Sequence, residues 1–381
     1  FDAAGRQTAS IDALGYVTEY RYDAIGNRIA SARYDTPIAI GSSPAQALEL
    51  RKSLSNSITQ QITYHIYDVA GREIGTIDPA GYLAEYRYDA LGKRTSSIRH
   101  DKAITQAGVI SINIQNDKDR FTVAPRGAPA DQAIWNGNQI QLKTGVDTKT
   151  ASPAANLDRK LSVDANHSVK IYREFTLGTH EGRTVTFGAD NGEAWRSDSW
   201  VMLLAQVGDD GSVSIEDYRG KQASWTVLGK AREKATYIVE QEITADRSTI
   251  YFYEKGSSRD SSSTYRYTQT VNYQGAYPFV SQYTRNIKDT TQASTTTITQ
   301  WTVEQTVTYR SGAVLTSADL QALMKSAQAA AQTSTPQQVR HVYDTANRLR
   351  FQIASDNTVT ENRYDSFGNI LQQIRYAKPV V

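Results

Sequence analysis

Tyr82-Leu83-Ala84-Glu85-Tyr86-Arg87-Tyr88-Asp89-Ala90-Leu91-Gly92-Lys93-Arg94 decides the fold of this chain. Its first half alternates in the manner of a strand with two unlike faces, and its aromatics favour a pleated backbone. Its second half is a turn. Asp89 can accept hydrogen bonds from backbone amides just ahead of it, and the Gly position requires a residue that tolerates positive φ. The turn recurs six times, in pairs that begin 21 residues apart: Phe1 and Tyr22, Tyr67 and Tyr88, Tyr343 and Tyr364. Asn347 stands where its counterparts are Gly5 and Gly71. A second turn lies inside each pair, with Gly15, Gly81 and Asn357 in corresponding places. Asn is the commonest non-glycine residue in the left-handed region, so two independent exchanges argue for left-handed turns and against close packing. The turn residues are therefore Gly5, Gly15, Gly26, Gly71, Gly81, Gly92, Asn347, Asn357 and Gly368. Each pair reads as short antiparallel strands joined by tight turns. Repetition at a fixed period implies one supersecondary unit stacked on copies of itself.

The combination Tyr-Asp-x-x-Gly with Asp-x-x-Gly-Tyr-x-x-Glu-Tyr-Arg-Tyr-Asp resembles the YD-repeat proteins, which include the RHS proteins, the Tc toxin shell components and the teneurins. The resemblance covers roughly residues 1–38, 64–102 and 341–380, about a third of the chain. It implies strands that spiral into a hollow β-shell, of the kind that encloses a toxin segment or presents adhesive surfaces. It does not supply a payload: neither a self-cleaving C-terminal core motif nor a toxin tail is recognisable. The chain starts inside one repeat and stops just after another, so we expect a longer polypeptide around it.

Bulk properties fit a soluble exported protein. At 381 residues, two or more structural units are expected. Charge is balanced, 42 basic against 40 acidic residues, which gives no reason to expect nucleic acid or an anionic membrane as partner. No apolar run is long enough to span a bilayer. A signal peptide is not recognisable, which carries no weight if the N-terminus is a cut edge. Zero cysteines exclude disulfides, thiolate metal sites and cysteine nucleophiles.

Two kinds of insert separate the repeats. Short amphipathic helices are expected near 43–58 and 317–332, each leading into a repeat pair. In the first, Ser43 is the N-cap, Pro44 the first helical residue and Gln46 the capping-box partner. In the second, Leu320, Leu323, Met324, Ala327 and Ala331 share a face. The long insert, residues 103–312, holds all five tryptophans, Trp135, Trp195, Trp200, Trp225 and Trp301. Its strands alternate cleanly, as at Ile110, Ile112 and Ile114, at Tyr237, Val239 and Ile243, and at Trp301, Val303 and Val307. Turn signals such as Asp190-Asn191-Gly192 and Asp209-Asp210-Gly211 fall between them. This pattern predicts an antiparallel β-sandwich of jelly-roll type. The fold class is thus mainly β: a YD-repeat β-shell over 1–102 and 313–381, with the sandwich inserted over 103–312.

Jelly rolls commonly carry sugar sites, in which exposed rings stack on sugar faces and polar side chains bond the hydroxyls. The glycan-binding candidates are Trp195, with Asp190, Asn191, Glu193 and Arg196 in the same loop, and Trp135 beside Asn136-Gly137-Asn138. Trp200 precedes the run Val201-Met202-Leu203-Leu204 and is expected in the core. No cofactor is expected. Structural calcium is the alternative for such sandwiches, with Asp190, Asp209, Asp210, Glu216 and Asp217 as oxygen ligands, but none has a spacing that requires metal. The five histidines, His65, His100, His167, His180 and His341, lack zinc-type spacing. Nucleophile-elbow, phosphate-loop and dinucleotide motifs are absent. Asp190 with Glu193, Glu174 with Glu181, and His180-Glu181 near Arg183 are the polar groupings open to an enzyme reading. The chain reads as a non-catalytic structural segment of a large secreted or cell-surface protein, whose sandwich contacts a glycan or another surface and whose shell contacts the parent chain's remaining repeats. The alternatives are the encapsulating shell of a toxin-delivery protein and a polysaccharide-active enzyme on a repeat scaffold.

Overall fold

The computed structural model describes residues 1–35, 37, 60–104, 108–124, 132–144, 153–179, 183–194, 197–273, 275–284, 293–309, 314–330 and 336–376. The helix expected near 43–58 lies outside them. The chain divides into two compact units, one formed by Phe1–Gly108 with Thr308–Val381 and the other by Val109–Val307.

In the first unit, β1 (Ala9–Ile11), β2 (Val17–Tyr22), β3 (Arg28–Tyr34), β4 (Gln60–Tyr67), β5 (Glu73–Ile77), β6 (Tyr82–Tyr88) and β7 (Arg94–Ala103) pair in chain order. With β8–β22 belonging to the other unit, the sheet resumes at β23 (Gln337–Tyr343), followed by β24 (Leu349–Ile353), β25 (Val359–Tyr364) and β26 (Ile370–Arg375). Strand β23 pairs antiparallel with β7, so the third repeat continues the first two across the long insert. The result is an eleven-stranded antiparallel sheet that runs from β1 to β26 and does not close on itself among the described residues.

Each Tyr-Asp turn is a small hydrogen-bonded box. Asp68 Oδ1 accepts from the backbone amides of Ala70 and Arg72, each at 2.9 Å, while Oδ2 accepts from Arg72 Nε at 2.8 Å. Asp23 does the same with Ile25 and Asn27, the Asn27 amide replacing the guanidinium. All nine turn positions have positive φ, from 61° at Asn357 to 96° at Gly26. At Gly5, Gly26, Gly92 and Gly368 nothing lies within 4 Å of an added Cβ, so glycine serves backbone conformation there and not packing. The register shifts by one residue beside the turns, as between Arg21 and Tyr22, where a bulge adds one residue to the following strand.

A second periodicity locks successive strands together. The hydroxyls of Tyr22, Tyr88 and Tyr364 donate to the carbonyls of Gln7, Glu73 and Leu349, each fifteen residues back. Tyr343 reaches the Arg94 carbonyl at 2.9 Å, the same clasp made across the insert. Arg6, Arg72 and Arg348 lie over the rings of Tyr22, Tyr88 and Tyr364. The helix α1 (Ser317–Ala330) begins in a reciprocal cap between Thr316 and Asp319 and buries Leu320, Leu323 and Met324. Gly108 lets it approach: a Cβ there would sit 2.6 Å from the helix backbone at Leu323.

The second unit is a two-layer sandwich. Its strands are β8 (Gly108–Asn113), β9 (Phe121–Ala124), β10 (Gln132–Asn136), β11 (Gln139–Thr144), β12 (Ala154–Leu157), β13 (His167–Thr176), β14 (Arg183–Asp190) and β15 (Val201–Val207). They continue as β16 (Ser212–Arg219), β17 (Gln222–Lys230), β18 (Thr236–Thr244), β19 (Arg247–Glu254), β20 (Tyr265–Thr270), β21 (Tyr277–Thr284) and β22 (Ser294–Val307). One sheet runs β10-β11-β22-β13-β18-β19-β20, with β8 also on β22, and the other runs β17-β16-β15-β14-β21-β12-β9. The alternating apolar residues face inward as expected. Phe175 stacks on Phe187 with ring centroids 4.1 Å apart, and Trp301 meets Phe121 at 5.0 Å.

Arg173 also points into this core, fully buried. Its guanidinium donates to the carbonyls of Gly188 at 2.7 Å and Phe279 at 3.1 Å and lies 5.0 Å from the Trp301 ring. Burial pulls its pKa down to about 9, still above neutral pH. Trp200 departs from expectation: it is buried, but in a separate cluster with Met202, Leu204 and Tyr218. Strand alternation is the reason. Val201 and Leu203 take the inner face, which leaves the even-numbered residues on the other.

Candidate functional site

The loop after β14 is built around Asn191, which is 2% exposed. Its side-chain Oδ1 accepts from the Val201 amide at 3.2 Å and its Nδ2 donates to the Ser199 carbonyl at 2.7 Å, closing the loop on itself. Asp190 ends β14, accepts from the Gly192 amide, and has its pKa raised by burial. Glu193 is partly exposed and lies 3.6 Å from Lys160 Nζ. Trp195 and Arg196 fall outside the described residues, as do His180 and Glu181. Asn191 thus acts as the loop's internal brace, while Glu193 is paired with Lys160.

Trp135 stands on β10, partly buried against the sandwich core, with Lys118 Nζ 5.5 Å from its ring centre. Of the acidic residues considered for calcium, Glu216 and Asp217 are engaged by neighbouring side chains. Glu216 is bonded to Gln206 and Tyr218, whereas Asp217 is bonded to Gln269, Tyr267 and Arg219. Among the described residues, no three His, Asp or Glu side chains gather as a metal site.

A polar surface lies elsewhere, on the outer face of the eight-stranded sheet. Pairing of β13 with β18 and β22 sets Tyr172 between Glu240 and Thr302, and Lys170 between Glu242 and Glu304. Tyr251 follows Glu240 on β19. The connection from β19 to β20 folds over one side of this face. Arg259 stacks 3.9 Å from the Tyr251 ring centre and bonds Glu242 at 2.7 Å and Glu240 at 3.3 Å. Lys255 Nζ and Thr299 Oγ1 both donate to Glu174 Oε1, at 2.9 and 2.8 Å. Glu240 also accepts from Tyr253 and is paired with Lys170 at 3.2 Å. Burial raises the pKa of Tyr172, helped by Glu174 and Glu240, so its hydroxyl stays protonated at neutral pH.

What this covering leaves open is a surface hollow of about 260 Å³ lined by Lys170, Tyr172, Thr302 and Glu304. The volume lies just below the ~300–1,000 Å³ of sites that enclose a drug-sized ligand, so it suits one small ring and not an engulfed chain. Its contents are a phenol ring, a cation, a hydroxyl and a carboxylate. The sequence reading assigned the inward parity of β22, at Trp301, Val303 and Val307, and assigned none to residues 167–176. The signal was present in Lys170-Ile171-Tyr172-Arg173-Glu174, where aromatic and charged residues alternate on a single face.

With the geometry in place, the relationships of the chain can be stated. The RHS Repeat family model matches residues 1–36 and 67–101. Those two stretches are RHS repeats. Residues 343–369 lie outside the match yet carry the same carboxylate boxes at Asp344 and Asp365 and the same tyrosine clasps. No curated protein matches the chain. Solved structures similar to it include basic winged bean lectin with Tn-antigen, at 8% identity, TM-score 0.38, covering 52% of this chain and 99% of that one. Peanut lectin with a 9mer peptide gives 11% identity, TM-score 0.39, and coverage of 53% and 99%. A native glycosidic hydrolase gives 10% identity, TM-score 0.38, and coverage of 55% and 100%.

Proposed function

We propose that this chain is a non-catalytic structural segment of a larger secreted or cell-surface repeat protein, and that its sandwich binds glycan through the hollow at Tyr172. The observation that carries the reading is the composition of that hollow: an aromatic ring flanked by Lys170, Thr302 and Glu304. A sugar ring has one C–H face and a rim of hydroxyls. The phenol face suits the first, while a cation, a hydroxyl and a carboxylate suit the second. Glu240, the cross-strand neighbour of Tyr172, supports binding over catalysis. Both oxygens of Glu240 are already engaged, by Tyr253 on one and by Lys170 and Arg259 on the other. A general acid or base must instead be free to exchange a proton with substrate.

The test is a glycan-array screen of the full chain beside Tyr172→Ala and Thr302→Val, with Trp135→Ala and Trp195→Ala as comparisons. Selective binding lost in the first two variants and kept in the tryptophan variants is the expected result. Binding lost only with Trp195 or Trp135 would move the site to the loop after β14 or to β10. No binding by the folded parent chain would remove the glycan reading.

A further inference from the structure

We propose that β17 is a dimerisation edge, pairing antiparallel with β17 of a second copy about a two-fold axis at Thr226. This does not depend on the glycan reading. β17 is the outermost strand of its sheet and pairs only with β16 among the described residues. Its first six residues, Gln222 to Val227, are all exposed, so the edge is open to solvent. A long open edge is a template for another strand, and natural proteins usually blunt it with proline, inward-pointing charge or brevity. Over Gln222–Val227, up to the bulge at Leu228, this strand contains neither proline nor a charged residue.

The order of its side chains is self-complementary. With the axis at Thr226, Trp225 of each copy faces Val227 of the other. Both belong to the outer face, opposite Glu216 and Ser214 of β16, and they are 48% and 70% exposed. Opposed residues of an antiparallel pair share a face, so the two exposed apolar side chains of each copy would cover those of its mate. The strand ends are also complementary in charge. Lys221 pairs with Asp198 at 3.0 Å beside one end, and Lys230 lies 3.7 Å from Asp210 at the other. The two-fold register places Gln222 opposite Lys230 of the second copy, which brings one Lys–Asp pair beside the other.

Because the chain has no cysteine, a single introduced thiol reports the register. Thr226→Cys sits on the axis, where antiparallel partners stand ~4.5–5.5 Å apart at Cα, within disulfide range. Gln222→Cys faces Lys230 and not itself. Sedimentation of the full chain across concentration should show reversible dimers, weakened at least tenfold by Val227→Lys. Mild oxidation should cross-link the 226 variant and spare the 222 variant. A chain that stays monomeric at high micromolar concentration, or a dimer that cross-links equally through both positions or through neither, would overturn the proposal. The Val227→Lys side chain points to solvent, so its circular dichroism and melting curve should match the parent and separate lost pairing from lost folding.

Discussion

In the repeat sheet, the bonds that shape each hairpin span four residues, as from Asp68 to Arg72. In the sandwich, β13 pairs with β22 by joining residues 167–176 to residues 297–307. Both are antiparallel β-structure, but the first is specified turn by turn and the second by a shared core. The repeat sheet tolerates a long interruption between β7 and β23 because each clasp needs only the neighbouring strand: Tyr343 bonds the Arg94 carbonyl much as Tyr88 bonds that of Glu73. The sandwich has no such modular bond. Its largest buried side chain, Trp301, packs against Phe121, 180 positions away in the chain.

The comparison can be tested by breaking each unit in its own way. Trp301→Ala should have the largest effect, destabilising the sandwich by ~3–5 kcal/mol through the cavity it leaves. Calorimetry should find the sandwich transition displaced while the repeat transition stays. A common shift of both would mean that the units do not unfold separately. Gly26→Val should cost the repeat sheet more than ~1 kcal/mol, from φ strain alone since no atom crowds the site. An unchanged melting temperature would remove the conformational role assigned to that glycine.

Asp68→Ala deletes three hydrogen bonds of one box and should cost about 1 kcal/mol, comparable to losing a helix cap. Hydrogen exchange at Ala70 and Arg72 should rise more than at any sandwich amide. Acid should act in the same place. The carboxyls of Asp2, Asp12 and Asp344 are held below the ordinary range by the backbone amides of Arg6, Tyr16 and Arg348. A depressed carboxyl contributes stability that is present above its unfolded pKa, near 3.8, and lost as pH falls through its lower folded value. The repeat transition should therefore weaken as pH falls below about 3.8, and a flat profile there would count against the boxes. The smallest effect is expected of Asn357→Gly, within about 0.5 kcal/mol, because glycine accepts the 61° φ without strain.

Much of the repeat unit was legible without coordinates because its determinants are local. A carboxylate two and four residues from the amides it binds, and an Asn standing for a Gly, are facts of spacing. The strand parity of the sandwich was legible for the same reason, as at Val239 and Ile243. The candidate hollow was not. Lys170, Tyr172, Thr302 and Glu304 come from two strands more than a hundred residues apart, and their meeting depends on which strands pair. Nor could sequence separate Asn191 as an internal brace from Asn191 as a ligand, since an exposed and a buried amide are written alike.

What the sequence determined by itself is the backbone: where the chain must turn left-handed, which residues alternate, and that one unit repeats. Positive φ and side-chain-to-amide bonds within four residues depend on neighbours already fixed by covalent order. What the tertiary structure decided is the partnering of strands, the covering of the sheet face by Arg259 and Lys255, and the exposure of Trp225 and Val227 on an open edge. Those depend on which distant segments come together to bury apolar surface, a choice made by the whole core and not by any short stretch of the chain.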